Sequence, residues 1–196
     1  FTSRRSSTDL LPAGGVRFFK NGSPAASISI ATAKAPESLE KTVSEIEEVV
    51  HESTMAHMIA DVEVGASLSS GVDSSYLVSE FPGQKTYTVG FLDKQSKYNE
   101  IRYAESLTKE LGKENISKTI SSDEYFDSIP KVMYYMDEPL ADPSCIALYF
   151  VDELAAKDIK VVLSGEGADE IYAGYEWYDE TPGMRKYKKI PAPIRR

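Results

Sequence analysis

Four short runs rich in β-branched, aromatic and other apolar residues divide the chain: Val62 to Leu68, Lys85 to Phe91, Asn115 to Ile120 and Ile159 to Leu163. Between them apolar residues recur at helical spacing, so helices are expected from Ser74 to about Glu80, Tyr98 to Leu111, Ser121 or Ser122 to about Met136, and Ser144 to Lys157. Strands that alternate with helices form βαβ units, and these units build a parallel sheet. The expected fold class is α/β, a doubly wound parallel sheet with helices on both faces. The last run is interrupted only by Lys160 and suits a strand covered on both faces. Pro82-Gly83 and Gly112 are the expected stops of the helices before them.

Upstream, Leu39, Val43, Ile46 and Val50 make an apolar row on a helix expected from Pro36 to about Ile59. His51 and His57 lie on this helix six residues apart, on different faces, and read as ordinary helix residues. Residues 1–35 are polar and interrupted, with Asn21-Gly22 between two short apolar runs, the pattern of a β-hairpin. Two strands alone cannot bury a core, so residues 1–35 are expected to be hairpin and linker from a junction with another domain. Residues 36–196 are then the ligand-binding domain. Phe1 and the closing Pro-Ala-Pro-Ile-Arg-Arg196 lead us to expect a piece of a longer chain.

Parallel sheets bind ligands in the crevice beyond the carboxyl ends of their strands. Two segments with suitable chemistry follow strands directly. The first is Ser69-Ser-Gly-Val-Asp-Ser74, a small-residue turn that opens a helix. A helix start aims unpaired N–H groups and the positive end of its dipole at one spot, which suits a phosphate. Hydroxyls at Ser69, Ser70, Ser74 and Ser75 add donors without bulk. A carboxylate among phosphate donors would repel the ligand unless a divalent cation stood between them, so Asp73 implies magnesium. Gly65 and Gly71 are wrongly spaced for a Walker A loop, and no Lys follows. The same residues would also serve as a capped strand-to-helix turn without a ligand.

The second segment is Ser164-Gly-Glu-Gly-Ala-Asp-Glu170. Its glycines let backbone approach a ligand, and Glu166 and Asp169 can hold a metal or a developing positive charge. Helix capping by Asp169 and Glu170 is the alternative. Glu170 stands where a dinucleotide fingerprint would have its third Gly.

Ser69 to Ser74 resembles the SGGxDS signature of the PP-loop ATP pyrophosphatases, which cleave ATP between the α and β phosphates. Ser70 stands where that signature has its first Gly. Thr86-Tyr-Thr-Val-Gly-Phe91, Tyr98-Asn-Glu100, Asp137-Glu-Pro139 with Asp142-Pro-Ser144, and Val161 to Glu170 with Gly174-Tyr175 extend the resemblance. Over roughly residues 10–190 the chain resembles the synthetase domain of glutamine-dependent asparagine synthetases. The resemblance implies an adenine nucleotide alpha hydrolase-like fold, truncated here at its C-terminal end. It also implies ATP-dependent amidation of aspartate to asparagine through a β-aspartyl-AMP intermediate, with release of AMP and pyrophosphate.

By position in the family, Ser69, Gly71, Asp73 and Ser74 would cradle pyrophosphate and magnesium. The backbone at Ser67, Leu68, Val89 and Gly90 would hold the adenine side, with Ser164 and Gly165 completing the nucleotide contacts. Asp73 and Asp169 would be metal carboxylates, and Glu166 the catalytic residue where ammonia attacks. ATP and Mg2+ are thus the expected cofactors, and aspartate and ammonia the partners. The ammonia would come from glutamine through a glutaminase domain missing from this chain: the family's glutaminase uses an N-terminal cysteine, whereas this chain starts with Phe1 and has only Cys145. Departures from the family pattern are Asn99 for Asp, Ala147 for Pro and Ala173 for Gly. The alternatives are a ligase adenylating another carboxylate, as β-lactam-forming synthetases do, and a non-catalytic nucleotide-binding module.

Composition narrows the classes. The 196 residues are 41% hydrophobic and 27% charged, which fits one soluble α/β domain. No apolar run is long enough to cross a bilayer, and a single cysteine fits a reducing compartment, so a cytoplasmic location is expected. The net charge of −9 argues against a general nucleic-acid surface. The basic residues Arg185, Lys186, Lys188, Lys189, Arg195 and Arg196 read as a solvated edge, and Tyr172, Tyr175, Trp177 and Tyr178 as packing aromatics. Homo-oligomerisation is left open.

Overall fold

The computed structural model of the chain describes residues 15–20, 23–29, 38–92, 99–137, 142–175, 178 and 181–191. Pro36, Tyr98, Pro139, Trp177, Arg195, Arg196 and the Asn21-Gly22 turn lie outside them. The chain forms two compact units, Phe1–Ile46 and Glu47–Arg196. In the first, β1 (Gly15–Lys20) and β2 (Ser23–Ser29) pair antiparallel, with a register shift between Phe18 and Phe19. Helix α1 (Leu39–His57) runs across the division between the units. It starts at Leu39, the first residue of the apolar row, where the Ser38 hydroxyl accepts from the Lys41 N–H at 3.2 Å and caps the first turn.

The second unit is built on β3 (Val64–Ser67), β4 (Lys85–Phe91), β5 (Glu114–Ile120) and β6 (Val161–Leu163), all parallel, in the order β5-β4-β3-β6. The helices that follow β3 and β4 are α2 (Val72–Glu80) and α3 (Ile101–Leu111). After β5 come α4 (Ser122–Tyr135) and α5 (Ser144–Ala155), and after β6 the short α6 (Ala168–Tyr172) and α7 (Pro182–Lys188).

Alternation along the strands sorts the helices between the two faces. Val64, Ala66 and Leu68 of the β3 segment pack with Val78 and Phe81 of the α2 segment and Ala104 of α3, joined by Met58, Leu107, Val161 and Leu163. On the opposite face Val89 and Ile120 pack with Val132 of α4 and Ile146 and Phe150 of α5, while Tyr87 packs with Ala155 and Ile159. The sheet is thus doubly wound, as expected. Each fully buried Val or Phe side chain here contributes about 1.5–3 kcal/mol of transfer free energy, so neither face can be lost without unfolding the unit. Among the described residues no helix is long and apolar enough to cross a membrane.

Two boundaries fall where the sequence pattern puts them, and others differ where backbone geometry intervenes. Helix α3 ends at Gly112 in the left-handed region (φ 67°), and Ser121 and Glu124 form a reciprocal capping box at the start of α4. Helix α2 begins at Val72, two residues before the expected Ser74, because Gly71 adopts the extended N-cap conformation. The expected strand from Ile159 shortens to Val161–Leu163, since the Ile159 N–H still donates to Ala155 C=O (2.9 Å) and finishes the exit of α5. Strand β6 packs on both faces, Val161 and Leu163 on the α2–α3 side and Val162 against Tyr87, Ala155 and Ile159, but its residues are only half-buried, because among the described residues it pairs with β3 alone.

The amino edge of the sheet is tied by one polar cluster. Lys85, opening β4, reaches Asp158 before β6 (2.8 Å) and Glu63 before β3 (3.1 Å), and the buried Tyr87 donates its hydroxyl to Asp158 (3.0 Å). Lys85 and Tyr87 together hold the Asp158 carboxyl below its ordinary range. A carboxyl with a depressed folded-state pKa contributes stability above its unfolded value, near 4, and loses it as pH falls through the folded value. The urea midpoint of the wild type should therefore drop between pH 6 and pH 3, and that of Asp158→Asn should drop less over the same range.

Candidate functional site

Strand β3 lies between β4 and β6, so the strand order reverses at its carboxyl end, and there a crevice opens. The chain leaves the sheet at Leu68, whose N–H donates to Tyr87 C=O and whose C=O accepts from the Thr88 hydroxyl, both at 2.9 Å. The next turn is held by its own serines. Ser69 N–H donates to Ser74 Oγ (3.1 Å), the hydroxyls of Ser69 and Ser74 stand 2.8 Å apart, and Gly71 N–H donates to Ser69 Oγ (3.1 Å). Ser75 Oγ donates to Gly71 C=O (2.7 Å), and Ser70 Oγ to Glu100 (3.0 Å). Gly71, the N-cap of α2 (φ −72°, ψ 151°), has no side chain with which to cap the first-turn N–H groups. Neither Ser70 nor Gly71 has a positive φ, so Ser in place of the signature's first Gly carries no left-handed cost.

The second loop closes onto the first. A Cβ at Gly165 would stand 2.9 Å from the Ser74 backbone nitrogen and 3.2 Å from Asp73 Cβ, closer than a side chain allows. Glycine at 165 is what permits the approach. Ser67 Oγ also donates to Leu163 C=O (3.4 Å) across the β3–β6 pair. Glu166 N–H donates to Ser164 Oγ (3.4 Å), Asp169 sits half-buried in the first turn of α6, and Tyr175 donates to Glu170 at 2.6 Å. That last bond, aided by burial, pushes the Tyr175 phenol up to about 12 and keeps it protonated.

Between the loops lies a cleft of about 880 Å³, within the usual range for a small-molecule site. Ser67, Leu68, Ser69, Gly71, Asp73, Ser74, Val89, Gly165, Glu166 and Asp169 all line it. Two of the expected residues do not. Gly90 lies on the other face of β4, against Ile101 and Asn99, and Ser164 is an exposed residue at the rim. The apolar wall of the cleft is formed by Phe91, Tyr125, Phe126, Pro143, Ala147, Leu148 and Val151; Phe91 and Pro143 stand in motifs and Ala147 at a departure from the family pattern, but Tyr125, Phe126, Leu148 and Val151 belong to no motif and escape sequence reasoning. Glu100, which also lines it, was signalled only as the end of Tyr98-Asn-Glu100.

Asp73, Glu100, Glu166, Asp169 and Glu170 are the charged residues among the described lining, and no Lys, Arg or His accompanies them. An anionic ligand in this cleft meets carboxylates, a repulsion that a divalent cation between them would offset. Carboxylate oxygens are the hard donors that magnesium takes, commonly one or two from protein with phosphate oxygens completing the shell. Among the described residues no three His, Cys, Asp or Glu side chains gather as a metal cluster. Asp73 and Asp169 fit the smaller protein share of such a shell.

Residues 45–196 match the sequence profile of the asparagine synthase family. A glutamine-hydrolysing asparagine synthetase of Bacillus subtilis is 44% identical over 161 residues, covering 80% of this chain and 25% of its own length. A putative asparagine synthetase of Mycobacterium bovis is 41% identical over 156 residues (78% and 24%), and one of Methanocaldococcus jannaschii 30% identical over 161 residues (79% and 31%). The chain spans about a quarter of the length of the first two relatives.

Two substitutions test the geometry. Gly165→Ala should lower stability in urea by about 1–3 kcal/mol through overpacking against Asp73 and Ser74. Ala173 caps α6 in the left-handed region at φ 58°. The left-handed cost of about 1–2 kcal/mol exceeds the unfolded-state entropy cost of Gly, about 0.4–1 kcal/mol. Ala173→Gly should therefore raise stability by about 0.5–1 kcal/mol, measured as a higher urea midpoint.

Proposed function

The chain belongs to the asparagine synthase family, and from that premise we propose that it carries the ATP-using site of an asparagine synthetase. The reaction is ATP-dependent amidation of aspartate to asparagine through β-aspartyl-AMP, with AMP and pyrophosphate released. The observation that carries the reading is the closure of Gly165 onto Asp73 and Ser74 at the strand-order reversal, which joins the two chemistry-bearing loops around one cleft.

In this reading the α2 N-terminus with Ser69, Gly71 and Ser74 binds the pyrophosphate portion, where first-turn N–H groups supply donors. Magnesium, held by Asp73 and Asp169, would neutralise phosphate charge. Val89 and the Leu68 backbone border the space for the adenine ring. Glu166 faces the position at which ammonia displaces AMP; the attacking nitrogen becomes cationic and must shed protons, and a carboxylate stabilises that charge and can accept one of them. The ammonia would derive from glutamine: the Bacillus subtilis and Methanocaldococcus jannaschii relatives are named as glutamine-hydrolysing asparagine synthetases.

In the intact protein, Asp73→Asn should reduce aspartate-dependent exchange of pyrophosphate into ATP by about 100-fold or more, with its melting temperature close to the wild type. Glu166→Gln should retain that exchange while losing ammonia-dependent asparagine formation. Exchange that depends on a β-amino acid and not on aspartate would overturn the choice of substrate, and wild-type activity in Asp73→Asn would overturn the site.

A further inference from the structure

Beneath the cleft, on the face of the sheet covered by α2 and α3, lies a polar cluster within apolar packing. Thr86 and Thr88 of β4 are fully buried, and Asn115 of β5 pairs with Thr86 in register. Asn115 Oδ1 stands 2.9 Å from Thr86 Oγ1 and 3.0 Å from Thr88 Oγ1, while its Nδ2 is sealed from solvent with no partner among the described residues. The same threonine hydroxyls also face carbonyl oxygens: Thr86 Oγ1 lies 3.1 Å from Glu114 C=O, and Thr88 Oγ1 lies 2.9 Å from Leu68 C=O.

Counting hydrogens decides the arrangement. Each hydroxyl has one proton and two acceptors in reach, so with Oδ1 facing the threonines half of these bonds cannot form and both amide protons are buried unpaired. A buried donor left without a partner costs about 1–3 kcal/mol. With the amide turned over, Nδ2 donates one proton to each threonine oxygen, and each hydroxyl then donates to its carbonyl. All four protons are used.

We propose that Asn115 is turned this way and acts as a positioning residue for the nucleotide loop. Its two amide protons occupy the acceptor sides of Thr86 and Thr88 and direct the Thr88 proton to the Leu68 carbonyl. Leu68 lies just beyond the paired residues Ala66 and Ser67, where the chain turns out of the sheet toward Ser69. The relay from Asn115 through Thr88 therefore fixes the direction in which the serine loop departs. Its consequence for ATP rests on the function proposed above, whereas its geometry does not.

Two measurements on the intact protein separate these. The first is structural: a neutron structure should show deuterons on the Asn115 side-chain atom that faces both threonines. The Leu68 carbonyl carbon-13 shift should move in Thr88→Val and in Asn115→Asp, whose acceptor-only carboxylate takes the Thr88 proton, and should stay in place in Thr88→Ser. Oxygen facing the threonines, or a Leu68 shift indifferent to Thr88→Val, overturns the relay. The second is functional: Thr88→Val and Asn115→Asp should raise the ATP dissociation constant about tenfold, with kcat at saturating ATP within about twofold, and Thr88→Ser should restore wild-type affinity. Unchanged ATP affinity in folded Thr88→Val overturns the role in positioning. A wild type that binds no ATP overturns the proposed function and the effect on ATP together, while the amide orientation still stands or falls on the neutron result.

Discussion

The parallel pairing of β3 with β6, Val64 to Val161 and Ala66 to Leu163, is the contact on which the rest of this arrangement depends. It joins segments almost a hundred residues apart and gives β3 neighbours on both sides. Because β3 crosses to β4 by α2 on one face while β6 is reached from β5 by α4 and α5 on the other, none of these crossovers spans the β3–β6 seam, and a crevice remains beyond their carboxyl ends. The cleft is a product of topology before it is a product of any motif.

Closure of that cleft depends on Gly165, which lets backbone meet backbone at the start of α2. The serine turn opposite is organised internally: Ser69 and Ser74 bind each other, so the loop keeps its shape through short-range hydrogen bonds. At the far edge of the sheet, Lys85, Asp158, Tyr87 and Glu63 tie together the entrances of β3, β4 and β6. Both edges of the sheet are thus held by polar groups, while the apolar residues between them supply most of the cohesion.

The carboxylate-rich lining and the helix N-terminus pull in opposite directions. Asp73, Glu166 and Asp169 disfavour an anion, whereas the first turn of α2 favours one. A site that contains both is suited to an anion that arrives with a cation, which is how magnesium nucleotides present themselves. The apolar wall from α4 and α5 complements this charged floor with a surface suited to a ring or an aliphatic group.

Much of this was legible in the chain itself. Strand alternation, the Gly112 stop, the Ser121 cap and the two loops follow from short-range rules of periodicity, capping and turn chemistry, which act within a few residues. The sequence could not show that β6 would lie at the described edge, that Ile159 would finish a helix, or that Gly90 would face away from the cleft, because each depends on which strand lies alongside. Nor could it reveal the apolar wall or the pairing of Asn115 with Thr86 and Thr88, since packing across the sheet joins residues with no common spacing. Local chemistry determined what each segment could offer; tertiary structure decided which offers meet, because a parallel sheet brings distant strand ends to one edge.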